Sequence, residues 1–194
     1  MRCVIFDLDG TLTQSEEGIW NCVKYTADQM GFPHPDAETL RKFVGPPLKW
    51  SFMEYMGMTE EQAVEGLRHY RDRYSVTGLY ENKVYPGIRT LLRMLTSQGV
   101  WCAVATGKPQ DMAVRILEKF RLSKYLQRII GPVEGSHPDK QQLIRDALPE
   151  AYDEAWMVGD TRFDMQGAHD VGIKALGVTY GYGTEEELVA AGAD

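Results

Sequence analysis

Cysteine is scarce in this chain: three residues, Cys3, Cys22 and Cys102, odd in number and far apart among 194. That usage excludes a disulfide framework, and the position of Cys3 and Cys102 within apolar runs predicts buried, reduced thiols. Positive charge is also short, with 21 Lys and Arg against 28 Asp and Glu, a net charge of −7. Neutralising a phosphate backbone needs a basic patch, so a nucleic-acid partner is excluded. No apolar run approaches the roughly 20 residues that cross a bilayer, and the N-terminus enters a strand-like run without a signal-type segment. The expectation is a cytoplasmic protein with no membrane partner, as monomer or homodimer. The four histidines, His34, His69, His137 and His169, share no metal-ligand spacing, which leaves no imidazole-built metal centre. Internal repeats and low-complexity tracts are absent too. What remains is ordinary globular composition, 43% apolar and 25% charged, long enough for one domain with a sizeable insertion.

The most informative residues are Asp7 and Asp9, at the end of the apolar run Cys3-Val4-Ile5-Phe6 and just before Gly10-Thr11. A short apolar run that ends in acid reads as a buried strand whose C-terminal tip opens into a site. Side chains two apart on an extended backbone point to one side, so the two carboxylates repel unless a proton or a cation intervenes. A second acidic pair, Asp160 and Asp164, falls at another strand-to-helix junction, Val158-Gly159-Asp160-Thr161-Arg162-Phe163-Asp164. Hard oxygen ligands from few protein groups suit Mg²⁺. Thr106-Gly107-Lys108 ends a third strand before Pro109, where a hydroxyl and free N–H groups can cradle a phosphate. Lys140 is the one cation in the stretch Glu134 to Lys140, whereas Lys108 reads as a solvated lysine beside the motif.

Apolar segments at Val100–Thr106, Arg128–Gly131, Ala155–Asp160 and Ala175–Gly181 predict four further strands. Helical spacing runs between them: Ile88 to Leu95, a helix opened by Pro109, and another opened by Pro138. Strands alternating with helices predict a parallel sheet with right-handed crossovers. Residues 14–85 differ. Glu16–Met30, Asp36–Phe43, Leu48–Met56 and Thr59–Tyr80 all read as helix with no strand among them. The predicted division is a core of residues 1–13 and 86–194 with a helical insertion, 14–85, above the site. The apolar residues Trp50, Phe52, Met53, Met56 and Met58 read as core of that insertion.

Together Asp7-Leu8-Asp9-Gly10-Thr11, Thr106-Gly107, Lys140 and Gly159-Asp160 with Asp164 resemble, in order, the four motifs of the haloacid dehalogenase-like hydrolase superfamily. Four ordered motifs, each at a strand end, are far more specific than any one of them. Phe43-Val44-Gly45-Pro46-Pro47-Leu48 and Gly167-Ala168 place the resemblance nearest the phosphoglycolate-phosphatase-like branch. It implies an α/β fold, a parallel-sheet Rossmann-like core with an inserted α-helical cap. It also implies Mg²⁺-dependent hydrolysis of a small phosphorylated metabolite through an aspartyl-phosphate on Asp7, with Asp9 as acid and base. Thr106, Gly107 and Lys140 would bind the phosphoryl group, and Asp7, the Asp9 carbonyl, Asp160 and Asp164 would hold the metal. A 5′-nucleotidase or a sugar phosphomutase would carry the same motifs, and a phosphate-binding regulator without turnover is the non-enzymatic alternative. Within the cap, Trp20, Arg41, Gly45, Pro46 and Lys49 are the candidates for specificity, with Arg41 or Lys49 suited to a second anionic group. Two departures stand out: Gln14 lies where relatives often carry an acid, and relatives usually continue past Asp194 into another strand and helix. The second departure implies either a sheet one strand smaller or a shortened form.

Overall fold

The first strand, β1 (Arg2–Phe6), is hydrogen-bonded along both edges, which is why its sequence is a continuous apolar run. In the computed structural model, which describes residues Met1–Asp194, the chain divides into two units. One comprises Met1–Gln14 and Val84–Asp194; the other is Ser15–Lys83. In chain order the elements are β1, β2 (Thr13–Gln14), α1 (Glu16–Met30), α2 (Ala37–Arg41), α3 (Leu48–Met56), α4 (Glu60–Val76), β3 (Lys83–Val84) and α5 (Ile88–Ser97). They continue with β4 (Trp101–Ala105), α6 (Gln110–Lys119), β5 (Arg128–Ile130), α7 (Lys140–Ala147), β6 (Glu154–Gly159), α8 (Arg162–Val171), β7 (Lys174–Gly177) and α9 (Glu185–Ala190).

Within the first unit, five parallel strands form a sheet in the order β5-β4-β1-β6-β7. The chain leaves β1 for β4 and β5 on one side, then returns to β6 and β7 on the other. Ligands in open α/β sheets gather at such a reversal, outside the carboxyl ends of the strands. The register makes those ends coincide: Phe6 is level with both Val104 and Val158. Asp7, Thr106 and Asp160 therefore follow at a single edge.

Helices cover both faces. Cys3, Ile5, Ala103, Ala105, Ala155 and Met157 form one core with Leu143, Ile144 and Ala147 of α7 and Met165 and Ala168 of α8. Alternate residues Phe6, Cys102 and Val104 are equally buried and point the other way. On the order of 1.5–3 kcal/mol per fully buried large aliphatic side chain holds this arrangement. Cys3, Cys22 and Cys102 are free and buried. No helix is long and apolar enough to cross a membrane.

The second unit packs α1 and α3 against α4. Its core includes Phe43 against Phe52 at 5.5 Å between ring centroids, and Tyr70 stacked on Tyr74 at 5.4 Å. Thr59 and Gln62 close a capping box at the start of α4. Arg73 holds Glu81 through two bonds of 2.7 and 2.9 Å.

Several sequence expectations need correction. Thr13–Gln14 and Lys83–Val84 pair as a two-stranded ribbon, so residues 14–85 do contain a strand; two residues are too few for a periodic signal. The helix expected through Tyr80 stops at Val76 and resumes as a 3₁₀ turn over Gly78–Tyr80. Neither proline occupies a first helical turn. Pro109 is the N-cap of α6, and α7 begins at Lys140 because Asp139 caps it by accepting from Gln142 N at 2.8 Å. The last strand ends at Gly177 rather than Gly181, since residues 178–183 turn back toward the strand tips. Phe52 and Met58 are core residues of the helical unit, but Trp50 and Met53 are exposed.

Candidate active site

Asp7 extends β1 by one bond, donating its N–H to Val158 O at 2.9 Å, and its side chain turns into the strand-tip crevice. Lys140 reaches the same point from the first residue of α7. Its stem passes α8 at Gly167, where a Cβ would lie 2.9 Å from Lys140 Cγ, so a larger residue would displace the lysine. The ammonium lies 2.5 Å from Asp7 Oδ1 and 2.7 Å from Asp164 Oδ1, and donates to Ala105 O at 2.8 Å. One cation thus joins β1, β4 and α8. Asp164 is 1% exposed and divided between two roles. Its Oδ2 accepts from the N–H and hydroxyl of Thr161 at 3.0 and 2.7 Å, which caps α8, while Oδ1 faces Lys140 without a well-directed hydrogen bond.

Asp160 is wholly buried at the tip of β6. Oδ1 accepts from the Thr11 hydroxyl and Oδ2 from Tyr182 N, each at 2.9 Å. The space for it comes from two glycines. A Cβ on Gly10 would lie 2.1 Å from Asp160 Oδ2, and one on Gly181 would lie 2.3 Å from Asp160 Cβ. Gly10 also has φ +89°, a left-handed turn that favours glycine. Substituting Gly181 by alanine is therefore expected to push Asp160 out of place. Turnover at this site should fall about 100-fold or more, of the order seen when a positioning residue is displaced by 1 Å. Unchanged turnover would mean the loop yields instead.

Electrostatics reinforce the picture. Burial pushes the Asp7 carboxyl well above the usual carboxylate range; Lys140 opposes this, and Asp164 and Asp160 add to it. Burial likewise raises Asp160 to about 6, against the stabilising Tyr182 N–H and Thr11 hydroxyl. Burial works against the Lys140 ammonium, but Asp164 and Asp7 outweigh it and hold the group above its ordinary value. Lys140 pairs with Asp7 and Asp164, Lys108 pairs with Asp9, and Asp160 feels Lys140 without touching it, so acids outnumber ammonium groups. All the donors are hard oxygens. That excess and that chemistry fit a divalent cation of the Mg²⁺ type. No three acidic, histidine or cysteine side chains converge tightly enough to enclose a metal by themselves, and Lys140 stands between Asp7 and Asp164. An ion that keeps several waters and takes one or two carboxylates suits such a site better than one needing a full cage.

The phosphate-binding candidates lie on the neighbouring tip. Thr106 is buried, donates its N–H to Ile130 O at 3.0 Å, and accepts the Lys108 N–H on Oγ1 at 3.2 Å. Gly107 is exposed, and a Cβ there would meet no protein atom within 4 Å, so nothing in the protein demands a glycine. Its open face leaves room for a ligand oxygen at the backbone N–H.

The specificity candidates all belong to the helical unit. Arg41 ends α2 and is exposed; Gly45, with φ +108°, and Pro46 lie in the α2–α3 link. Lys49 is paired with Glu60 at 2.7 Å, which gives it a partner of its own. Trp20 of α1 keeps Nε1 buried without a hydrogen-bond acceptor.

Sequence reasoning missed three things. Lys108 is not a solvated lysine: its side chain is 8% exposed and its ammonium lies 2.8 Å from Asp9 Oδ2. Thr11 and the loop Tyr180–Gly183 form the cradle of Asp160, and Tyr180 OH donates to Thr11 O at 3.0 Å. The alternation Tyr180-Gly181-Tyr182-Gly183 was the available signal.

Known proteins resemble this chain along nearly its whole length. The family model described as haloacid dehalogenase-like hydrolase matches residues 4–178. The chain is 41% identical to a 5′-nucleotidase of Pseudomonas aeruginosa, covering 96% of this chain and 86% of that one. It is 37% identical to the tyrosine-protein kinase PtkA of Mycobacterium tuberculosis over 94% of its own length and 63% of the relative's. A phosphoglycolate phosphatase of Pseudomonas savastanoi is 29% identical, at 93% and 70% coverage. Among solved structures, a haloacid dehalogenase-like family hydrolase from Streptococcus pneumoniae superposes with a TM-score of 0.91 at 35% identity, covering 99% and 91%. With its parallel sheet, its acids gathered at one edge and relatives across nearly its whole length, the chain belongs to the haloacid dehalogenase-like hydrolase family.

Proposed function

We propose that this hydrolase is a Mg²⁺-dependent phosphomonoesterase that cleaves a small phosphorylated metabolite through an aspartyl-phosphate on Asp7. The observation that carries the reading is the Asp7–Lys140 contact of 2.5 Å at the tip of the central strand, with Asp9 two residues on. The lysine holds the nucleophilic carboxylate and offers the positive charge that an incoming phosphoryl group needs. Asp7 attacks phosphorus and the bond to the leaving oxygen breaks. Asp9 gives that oxygen its proton, then takes one from the water that cleaves the aspartyl-phosphate and frees Asp7. The Thr106 hydroxyl and Gly107 N–H hold the phosphoryl oxygens. Asp7, Asp160 and the Asp9 carbonyl would hold the metal, with Asp164 contributing directly or through water. When bound, the ion offsets repulsion between an anionic nucleophile and an anionic substrate.

The reading is tested by p-nitrophenyl phosphate hydrolysis. EDTA is expected to stop it and Mg²⁺ to restore it, while turnover indifferent to chelation would remove the ion. For the substrate, the 41% identical relative named 5′-nucleotidase supports a nucleoside monophosphate alongside the 2-phosphoglycolate favoured by the cap motif. A phosphate-release panel of nucleoside monophosphates, phosphoglycolate and hexose phosphates separates them. Interconversion of glucose phosphates without phosphate release would instead identify a phosphomutase.

A further inference from the structure

The two oxygens of Asp9 have unequal surroundings. Oδ2 lies 2.8 Å from Lys108 Nζ, whereas Oδ1 is buried and accepts no hydrogen bond. A buried acceptor without a donor has lost its water for nothing in return, so it calls for an occupant. Lys108 is itself fixed. Its N–H bonds Thr106 Oγ1 at 3.2 Å, and its carbonyl packs against Gly131 so closely that a Cβ there would lie 2.4 Å away. Gln110 closes the corner, with its side-chain oxygen 3.3 Å from Gly131 N and its own N–H donating to Pro132 O at 3.0 Å. A side chain only 8% exposed, on so constrained a backbone, has little choice of where to carry its charge. It carries it to Asp9.

We propose that Lys108 is a positioning residue for leaving-group protonation: its ammonium holds Asp9 Oδ2 and so reserves Oδ1 for the proton that is transferred. The proposal rests on the phosphatase reading above. In the first half-reaction the proton on Oδ1 passes to the leaving oxygen as its bond to phosphorus breaks and the Asp7–phosphorus bond forms. In the second, water loses a proton to Oδ1 as its oxygen bonds phosphorus and the bond to Asp7 breaks. Proton and charge are returned to their starting positions. Lys108 touches neither phosphorus nor the leaving group in this scheme; it works by removing one of two orientations from Asp9.

General acid assistance matters when the leaving group is a poor one and little when it is good. The test therefore compares 2-phosphoglycolate or glycerol phosphate, which expel an alkoxide, with p-nitrophenyl phosphate, which expels a stable phenolate. Lys108→Met is expected to lower kcat/KM about 50-fold on the alkyl phosphate and less than about 5-fold on p-nitrophenyl phosphate. The inhibition constant for inorganic phosphate should stay within about 2-fold. In an Asp9→Asn background the same substitution should have no further leaving-group-dependent effect. Lys108→Arg, which keeps a cation, should recover much of the loss, and far-UV circular dichroism with a thermal melt checks that each variant folds. Parallel losses on both substrates, or a weakened phosphate constant, would overturn the positioning role. If Lys108→Met does not fold, Lys108→Arg must retain the leaving-group dependence of the wild type, and its failure to do so while folded overturns the proposal. Absence of any phosphate release by the wild-type chain would overturn the phosphatase reading itself, an outcome distinct from parallel losses.

Discussion

Asp7→Asn is expected to abolish phosphate release, by about 10⁴-fold or more, the scale on which loss of a covalent nucleophile shows. The amide keeps the shape of the carboxylate and still offers a carbonyl oxygen to Lys140, so the crevice should remain assembled. It cannot, however, donate an electron pair to phosphorus with comparable ease. The thermal midpoint should change by only about 2–4 °C, the shift that about 1 kcal/mol makes in a chain of this size, because Lys140 keeps Asp164 as its partner. Phosphate release over a long incubation, with the melt measured on the same preparation, checks both parts. Near-normal turnover in a folded Asp7→Asn variant would take the nucleophile's role away from this residue.

Lys140→Met should be as damaging and for more than one reason. The ammonium now touches Asp7, Asp164 and the Ala105 carbonyl, three groups brought from three different elements. Methionine preserves the stem that runs past Gly167 but leaves two buried carboxylates without their cation. Breaking a buried ion pair by deleting one partner costs about 3–5 kcal/mol, far more than an exposed pair. Activity should fall about 10³-fold as phosphoryl binding and the alignment of Asp7 are lost together. Urea denaturation should show the midpoint falling at unchanged slope, the pattern of a pure stability change. Full stability in the variant would mean that the carboxylates find other donors, and Lys140 would then be reduced to a substrate contact.

Much of the fold is legible in order of residues. The run Cys3–Phe6 reads as a strand buried on both faces, and its neighbours Trp101–Ala105 and Glu154–Gly159 carry a similar signature. Helix α4 announces itself through Thr59 and Gln62, whose capping box is a local bond between residues three apart. The ribbon of Thr13–Gln14 with Lys83–Val84 is illegible for the opposite reason: its partners are some 70 positions apart and two residues have no period. The end of β7 misleads in a similar way. Tyr180 and its glycines read as strand until Asp160 is seen to need the loop around it.

Identity and spacing along the chain named the candidates for the chemistry: acids at two strand ends, a threonine and glycine at a third, and a lysine in the loop-to-helix stretch before α7. Those assignments depend on short-range rules, the two-residue alternation of a strand and the capping of a helix, which a string of residues displays. The folded molecule decided the charge partners: Lys140 between Asp7 and Asp164, Thr11 on Asp160, and Lys108 on Asp9 rather than in solvent. Apart from Lys140 with Asp164, these pairings join side chains about 100 to 150 positions apart, and they exist because parallel strands in register bring their tips to one edge. Burial there removes the water that would otherwise make the choice of partner immaterial.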